Sequence, residues 1–245
     1  MSSGVVSSDG SFRATRWTLV CRARGEGKVA FRALSELCVI YHYPLYCFAR
    51  SQGMGPQDAE DATQDFFASV IEKDLFAKAD AARGRLRSFL LTSYQRSLHR
   101  RWKSETCQKR NRMATVPLDN YGEEEDRYRK EPKTTDTPET IYHRTWAMRL
   151  LATSLTRVEV AWSACGKSAG FAALTPFLSG AWHTSGNFSD AAAVLGITVN
   201  AARHRACQLR RDYREALLAE IAETIASHDP AALEEELRFL YRAVG

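Results

Sequence analysis

Residues 198–214 concentrate side chains that can hydrogen-bond base edges and phosphates: Thr198, Asn200, Arg203, His204, Cys207, Arg211 and Arg214. Wound as a helix, residues 200–214 put these polar groups on one side, while Ala202, Ala206, Leu209 and Tyr213 make an apolar stripe on the other. An arginine fork bonds two acceptors of guanine and an asparagine bonds adenine, so such a face suits the DNA major groove. An ordinary helical hairpin with a solvated basic face has the same spacing.

A second set is acidic. Asp58, Asp61, Asp65 and Glu72 share one side of a helical pattern whose apolar side is Ala59, Ala62, Phe66 and Val70. Like charges three and four apart repel by roughly a few tenths of a kcal/mol per pair. The stripe is therefore either a docking surface for a basic partner or a solubilising face. Carboxylates so placed can also bind Mg²⁺ beside a phosphate. A nuclease needs a second carboxylate cluster, and none is evident. No glycine-rich phosphate loop, HExxH or nucleophile elbow occurs either. The expectation is a protein without catalysis, cofactor or metal of its own.

A third set is basic: Arg85, Arg87, Arg96, His99, Arg100, Arg101 and Lys103, with Trp102 among the last of them. Trp102 can stack on an unpaired base, worth about 1–3 kcal/mol, or fill a core at a helix end. These sets lie in segregated blocks. Residues 51–72 hold five acidic residues and no Lys or Arg, whereas residues 83–112 hold ten Lys or Arg against Glu105 alone. Residues 215–237 then hold seven acidic residues and no Lys or Arg. A formal charge of only +5 conceals this alternation, which points to more than one charged partner surface.

Helices must carry these groups, because no strand pattern of any length is found. The spacing predicts helices over 28–51, with Pro44 as a kink or boundary, over 56–72 starting at Pro56, and over 88–103. Leu90, Tyr94 and Leu98 mark the buried side of the third. Thr137-Pro138-Glu139 starts a long helix with Thr137 as cap. Phe171, Leu174, Phe177 and Leu178 belong to another. Ser189 or Asn187 caps the next, Gly196 supplies a turn with positive φ, and Thr198 caps the arginine-rich helix. Asp229-Pro230 opens the last helix, with Leu233, Leu237 and Leu240 on one side. The expected organisation is all-α: a disordered start over 1–11, a domain over 12–103 and a charged linker over 104–137. A domain with a helix-turn-helix over 138–218 and an acidic helical extension over 219–245 follow. Either the extension screens a basic face or it completes the core.

Six cysteines, at 21, 38, 47, 107, 165 and 207, show no CxxC or zinc spacing, so free thiols in a reducing cytoplasm are expected. No leader with a charged start and an apolar core is seen, and no apolar run long enough for a membrane span.

Taken together the motifs resemble a family. Asp61-Ala62-Thr63-Gln64-Asp65-Phe66-Phe67 precedes an arginine-rich loop, a basic helix, a charged linker and a helix-turn-helix. This order is similar to that of bacterial RNA polymerase sigma factors of the extracytoplasmic-function group, which keep regions two and four. Phe12-Arg13-Ala14-Thr15-Arg16-Trp17, Tyr43-Pro44-Leu45-Tyr46, Arg83-Gly84-Arg85-Leu86-Arg87-Ser88-Phe89-Leu90 and Glu234-Glu235-Glu236-Leu237-Arg238 resemble a subgroup with long linkers. The likeness extends over most of residues 12–243. It implies core RNA polymerase and promoter DNA as partners, with an anti-sigma factor or other regulator left open. It implies polymerase docking through Asp58, Asp61, Gln64, Asp65 and Phe67. Upstream-ten recognition and melting would fall to residues 74–103, including Arg85, Arg87, Arg96, Arg100, Arg101, Trp102 and Lys103. Upstream-thirty-five reading would fall to Thr198, Asn200, Arg203, His204, Cys207 and Arg211. His204 and Arg205 depart from the subgroup, where an apolar and a small residue are expected. A stand-alone helix-turn-helix regulator is the main alternative, and it leaves the acidic motif and the basic third helix without a use.

Overall fold

The computed structural model describes residues 28–72, 85–108, 123–130, 136–178, 187–225 and 229–245. The expectations for residues 1–24, for 74–84 and for the loop 180–186 lie outside them. The described residues form nine α-helices and no strand. They are α1 (Lys28–Ser51), α2 (Pro56–Glu72), α3 (Leu86–Gln108), α4 (Glu123–Lys130), α5 (Pro138–Ala164), α6 (Ser168–Leu174), α7 (Phe188–Leu195), α8 (Val199–Ile225) and α9 (Pro230–Val244). None of them is long and apolar enough to cross a membrane.

Local chemistry explains the helix ends. Thr137 Oγ1 accepts the backbone N–H of Thr140, with Pro138 in the first turn, as the sequence predicts. Asp229 caps α9 by accepting from Ala231. The third helix starts two residues before the prediction, because the Arg85 carbonyl accepts from both Ser88 and Phe89. Pro44 does not interrupt α1. An interior proline costs about 3 kcal/mol, but its neighbours Tyr43, Leu45, Tyr46, Cys47 and Phe48 are all buried, and that burial outweighs the cost.

Packing departs from the expected division into two units. One core joins α1, α2 and α3 to α5, α8 and α9: Tyr41, Phe48, Phe66, Leu90 and Tyr94 meet Tyr142, Trp146, Leu150, Leu217, Ile221, Leu237 and Leu240. A second, smaller core belongs to the C-terminal half alone, with Val158, Trp162, Phe171, Leu174, Ala191, Ala206 and Leu209. The boundary expected at 218 falls inside α8, which runs unbroken to Ile225. The reason is that Leu217 and Ile221 extend the buried stripe of that helix into the larger core.

The segment expected as a linker also contains structure. Glu125 of α4 is buried against α1. Tyr46 Oη donates to its Oε2 at 2.6 Å, Arg50 binds through Nε at 2.8 Å and Nη2 at 3.0 Å, and Arg129 Nε donates at 3.0 Å. Burial pushes the Glu125 carboxyl up, but the hydrogen bonds from Arg50, Tyr46 and Arg129 together hold it below its ordinary value. Three charge-assisted donors from α1 dock a helix whose composition reads as solvated.

Candidate nucleic-acid interface

The arginine-rich helix is held by the smaller core. Asn187 Oδ1 accepts from Ser189 N at 3.1 Å to start α7. Gly196, at φ 61 and ψ 34, ends it, and Ile197 N donates back to Ala192 O at 3.0 Å. That left-handed closure is the turn glycine allows most cheaply. Thr198 Oγ1 then accepts from Ala201 N at 3.3 Å and caps α8. Ala202, Ala206 and Leu209 are buried. Trp162 Nε1 bonds Asp212 at 2.8 Å, and Arg210 Nε bonds the Phe177 carbonyl at 3.0 Å, pinning α8 to α5 and to the turn after α6. With that side anchored, Thr198, Asn200, Arg203, His204, Cys207, Arg211 and Arg214 all face solvent together. Arg203 lies over the Phe188 ring at 5.8 Å, which restrains its stem while leaving its donors outward. Arg205, a departure from the family pattern, is also exposed.

On α3 the expected set divides. Arg96, Arg100, Trp102 and Lys103 are exposed. Trp102 keeps 67% of its surface accessible, which excludes the core role considered for it. His99 stands beside it, with ring centroids 6.4 Å apart. Arg101 turns instead to α2, where its Nη1 donates to Asp65 Oδ2 at 2.8 Å.

Arg85 and Arg87 depart from the expectation of free DNA contacts. Arg87 is only 3% exposed and is hydrogen-bonded to Glu236 of α9, which is fully buried. Its guanidinium lies over the Phe239 ring at 4.0 Å and near the Trp146 ring at 4.9 Å. Arg85 Nε lies 2.8 Å from the other Glu236 oxygen, and its Nη2 lies 3.2 Å from Glu235. Burial lowers the Arg87 pKa against the attraction of Glu236, and burial raises that of Glu236 against both arginines. The pair is thus held at a desolvation cost. The sequence offers no sign of it, since Glu236 sits in an acidic run that reads as solvated.

The acidic set is mostly outward. Asp58, Gln64 and Asp65 are exposed and Asp61 is half-buried. Gln57 donates to Asp61 at 3.0 Å and Gln64 donates to Glu60 at 2.6 Å, so amides of α2 itself relieve part of the repulsion. Phe67 is a correction: it is buried, stacked on His42 with centroids 6.1 Å apart, and presents no surface to a partner. Ala59, Ala62, Phe66 and Val70 form the buried side as predicted. Thr63 joins them, its hydroxyl 2.9 Å from that of Tyr94, whose pKa burial pushes up to about 12.

Among the described residues no three His, Cys, Asp or Glu side chains are grouped to hold a metal ion. Comparison with family models, with curated proteins and with solved structures finds no match to this chain.

Proposed function

We propose that this chain is a sigma factor of the extracytoplasmic-function type, acting in the cytoplasm as the promoter-specificity subunit of RNA polymerase. The exposed face of α8 carries this reading. Its asparagine, arginines and histidine project together from a helix clamped by buried alanines, a left-handed glycine turn and two side-chain hydrogen bonds. A rigid helix presenting donors on one face is what major-groove reading needs.

The other surfaces take their roles from that. Arg96, Arg100 and Lys103 hold phosphates near the upstream-ten element, and exposed Trp102 stacks on an unpaired base. Asp58, Asp61 and Asp65 meet a basic surface of core polymerase, which relieves their mutual repulsion. The chain performs no bond-making chemistry in this role.

Run-off transcription with core polymerase on genomic fragments is the test. Wild type should yield discrete start sites, and Asp58→Arg with Asp61→Arg should abolish polymerase capture without loss of helicity. That pair is cleaner than one including Asp65, whose partner Arg101 would be repelled at the same time. Specific duplex binding without any affinity for polymerase would instead establish a stand-alone regulator.

A further inference from the structure

We infer that Phe188 is a positioning residue for base reading: its ring sets the direction of the Arg203 guanidinium, and the base that Arg203 meets is a guanine. The inference rests on the reading of α8 as the helix that faces base edges.

Phe188 is the first residue of α7, directly after the Asn187 cap. It is half-buried, so part of its ring reaches the rim of the solvated face. The ring is stacked on that of Phe177, with centroids 4.1 Å apart and planes 14° from parallel. Phe177 closes the tight turn Thr175–Phe177 after α6, and both rings pack against the smaller core. Arg203 lies over the Phe188 ring at 5.8 Å. Arg210 Nε donates to the Phe177 carbonyl at 3.0 Å. Positions 203 and 210 are about two turns apart, so both side chains leave α8 on the same side. The aromatic pair is therefore tied to α8 at two heights, by a backbone carbonyl at one and by a ring at the other.

Arg203 differs in this from Arg205 and Arg211, which project from α8 into solvent. An arginine stem has several rotatable bonds, and freezing them on a base costs entropy that a prior restraint removes. A guanidinium laid over a ring keeps its N–H edge free, and that edge matches the paired acceptors of guanine in the major groove. Packing alone does not require this ring. A leucine at position 188 would also fill a contact with the smaller core, but it has no electron-rich face for a cation.

Binding selections over randomised upstream sequence test this, with the full chain bound to core polymerase. Wild type should prefer guanine at one or two base pairs where Arg203→Ala loses the preference. Phe188→Leu should weaken discrimination at those same base pairs by about two- to fivefold, the scale of an exposed cation–π contact. Phe188→Tyr should restore it. In an Arg203→Ala background Phe188→Leu should change nothing further at those positions. A Phe188→Leu loss that is equal on every sequence, or that persists without Arg203, makes Phe188 a packing residue and overturns the inference. An Arg203→Ala effect at a base pair other than guanine overturns the base assignment. An unaltered profile for Arg203→Ala defeats the reading of Arg203 as a base contact, and the role of Phe188 with it. Absence of polymerase capture sinks the sigma-factor reading, and the same selections on the chain alone then decide the role of Phe188. A second measurement does not depend on the variant folding. Side-chain nitrogen relaxation in wild type should show the Arg203 Nε–H, assigned by its loss in Arg203→Ala, to be more ordered than those of Arg205 and Arg211. Equal mobility of the three overturns the restraint.

Discussion

Arg87 and Arg203 carry the same guanidinium in opposite surroundings. Arg87 lies against two aromatic rings and a carboxylate supplied from 149 residues further along the chain. Arg203 lies over one ring at the edge of a solvated face. Both sit in basic stretches, so local charge density does not separate a buried structural arginine from a solvated one. What separates them is the element that packs opposite. Where α9 arrives, its glutamates and Phe239 take the arginine inside. Where the smaller core anchors only the alanine side of α8, Arg203, Arg205 and Arg211 stay out.

The largest effect should come from breaking the buried pair. Arg87→Ala leaves the desolvated Glu236 with the partly exposed Arg85 as its remaining cation, and should cost about 3–5 kcal/mol in chemical denaturation. Arg203→Ala should change stability by no more than about 0.5 kcal/mol. Replacing Arg87 and Glu236 together by Met and Leu should cost much less than either single change, because no orphaned charge remains. A loss below about 1 kcal/mol for Arg87→Ala would erase the contrast between the two arginines.

Next is specificity. With core polymerase bound, Arg203→Ala should alter preference at one or two base pairs of the upstream-thirty-five element by about 1–3 kcal/mol. Binding selections over randomised upstream sequence read this directly. An unaltered preference profile would move Arg203 into the phosphate-holding group.

The pH dependence sharpens the comparison between the two buried glutamates that receive arginines. Glu236 is held above its ordinary value of 4.5 by burial. Between that value and its folded-state pKa the native state binds the extra proton, so its share of the stability falls as pH rises. Glu125 is held below 4.5, chiefly by the hydrogen bonds that overcome its burial. Its share is present above 4.5 and is lost as pH falls through its folded-state pKa. Glu236→Gln should therefore flatten the stability profile on the alkaline side of 4.5, and Glu125→Gln should flatten it on the acid side. Thermal melts from about pH 3 to pH 8 give both limbs, and the same limb flattened by both changes would contradict the assigned directions.

How far the sequence discloses these features depends on whether the signal is local. Apolar periodicity and capping residues are local, so the bounds of α2, the Asn187 and Thr198 caps, the left-handed Gly196 and the exposed polar side of α8 all match the reading. Long-range pairing is not local. Glu125 and Glu236 sit in acidic runs whose composition says solvent, and only the approach of Arg50 or Arg87 makes them interior. Arg85, Arg87 and Phe67 depart from expectation for the same reason: each has a partner distant in sequence. The joining of the two halves into one core was equally hidden, since the aromatic faces of α1 and α5 show that they bury something and not what.

The smallest expected effect concerns the exposed residues alone. Lys103 is fully at the surface, and Arg100 uses its Nε on the Arg96 carbonyl at 3.2 Å while the rest of its fork remains outward. Groups so placed can neutralise phosphates but have no fixed alignment to a base edge. Each phosphate contact contributes about 0.9 to the slope of log affinity against log salt. Removing one by Lys103→Ala should lower the slope by about that amount, so the variant's deficit narrows by roughly 3.5-fold between 50 and 200 mM salt. The loss at any one salt concentration should be the same on every promoter. Arg203→Ala should show the reverse, with the slope nearly intact and the loss varying with sequence. Identical slopes and identical, sequence-independent losses for the two variants would mean that α8 holds DNA by its backbone too. The distinction between a reading face on α8 and a holding face on α3 would then disappear.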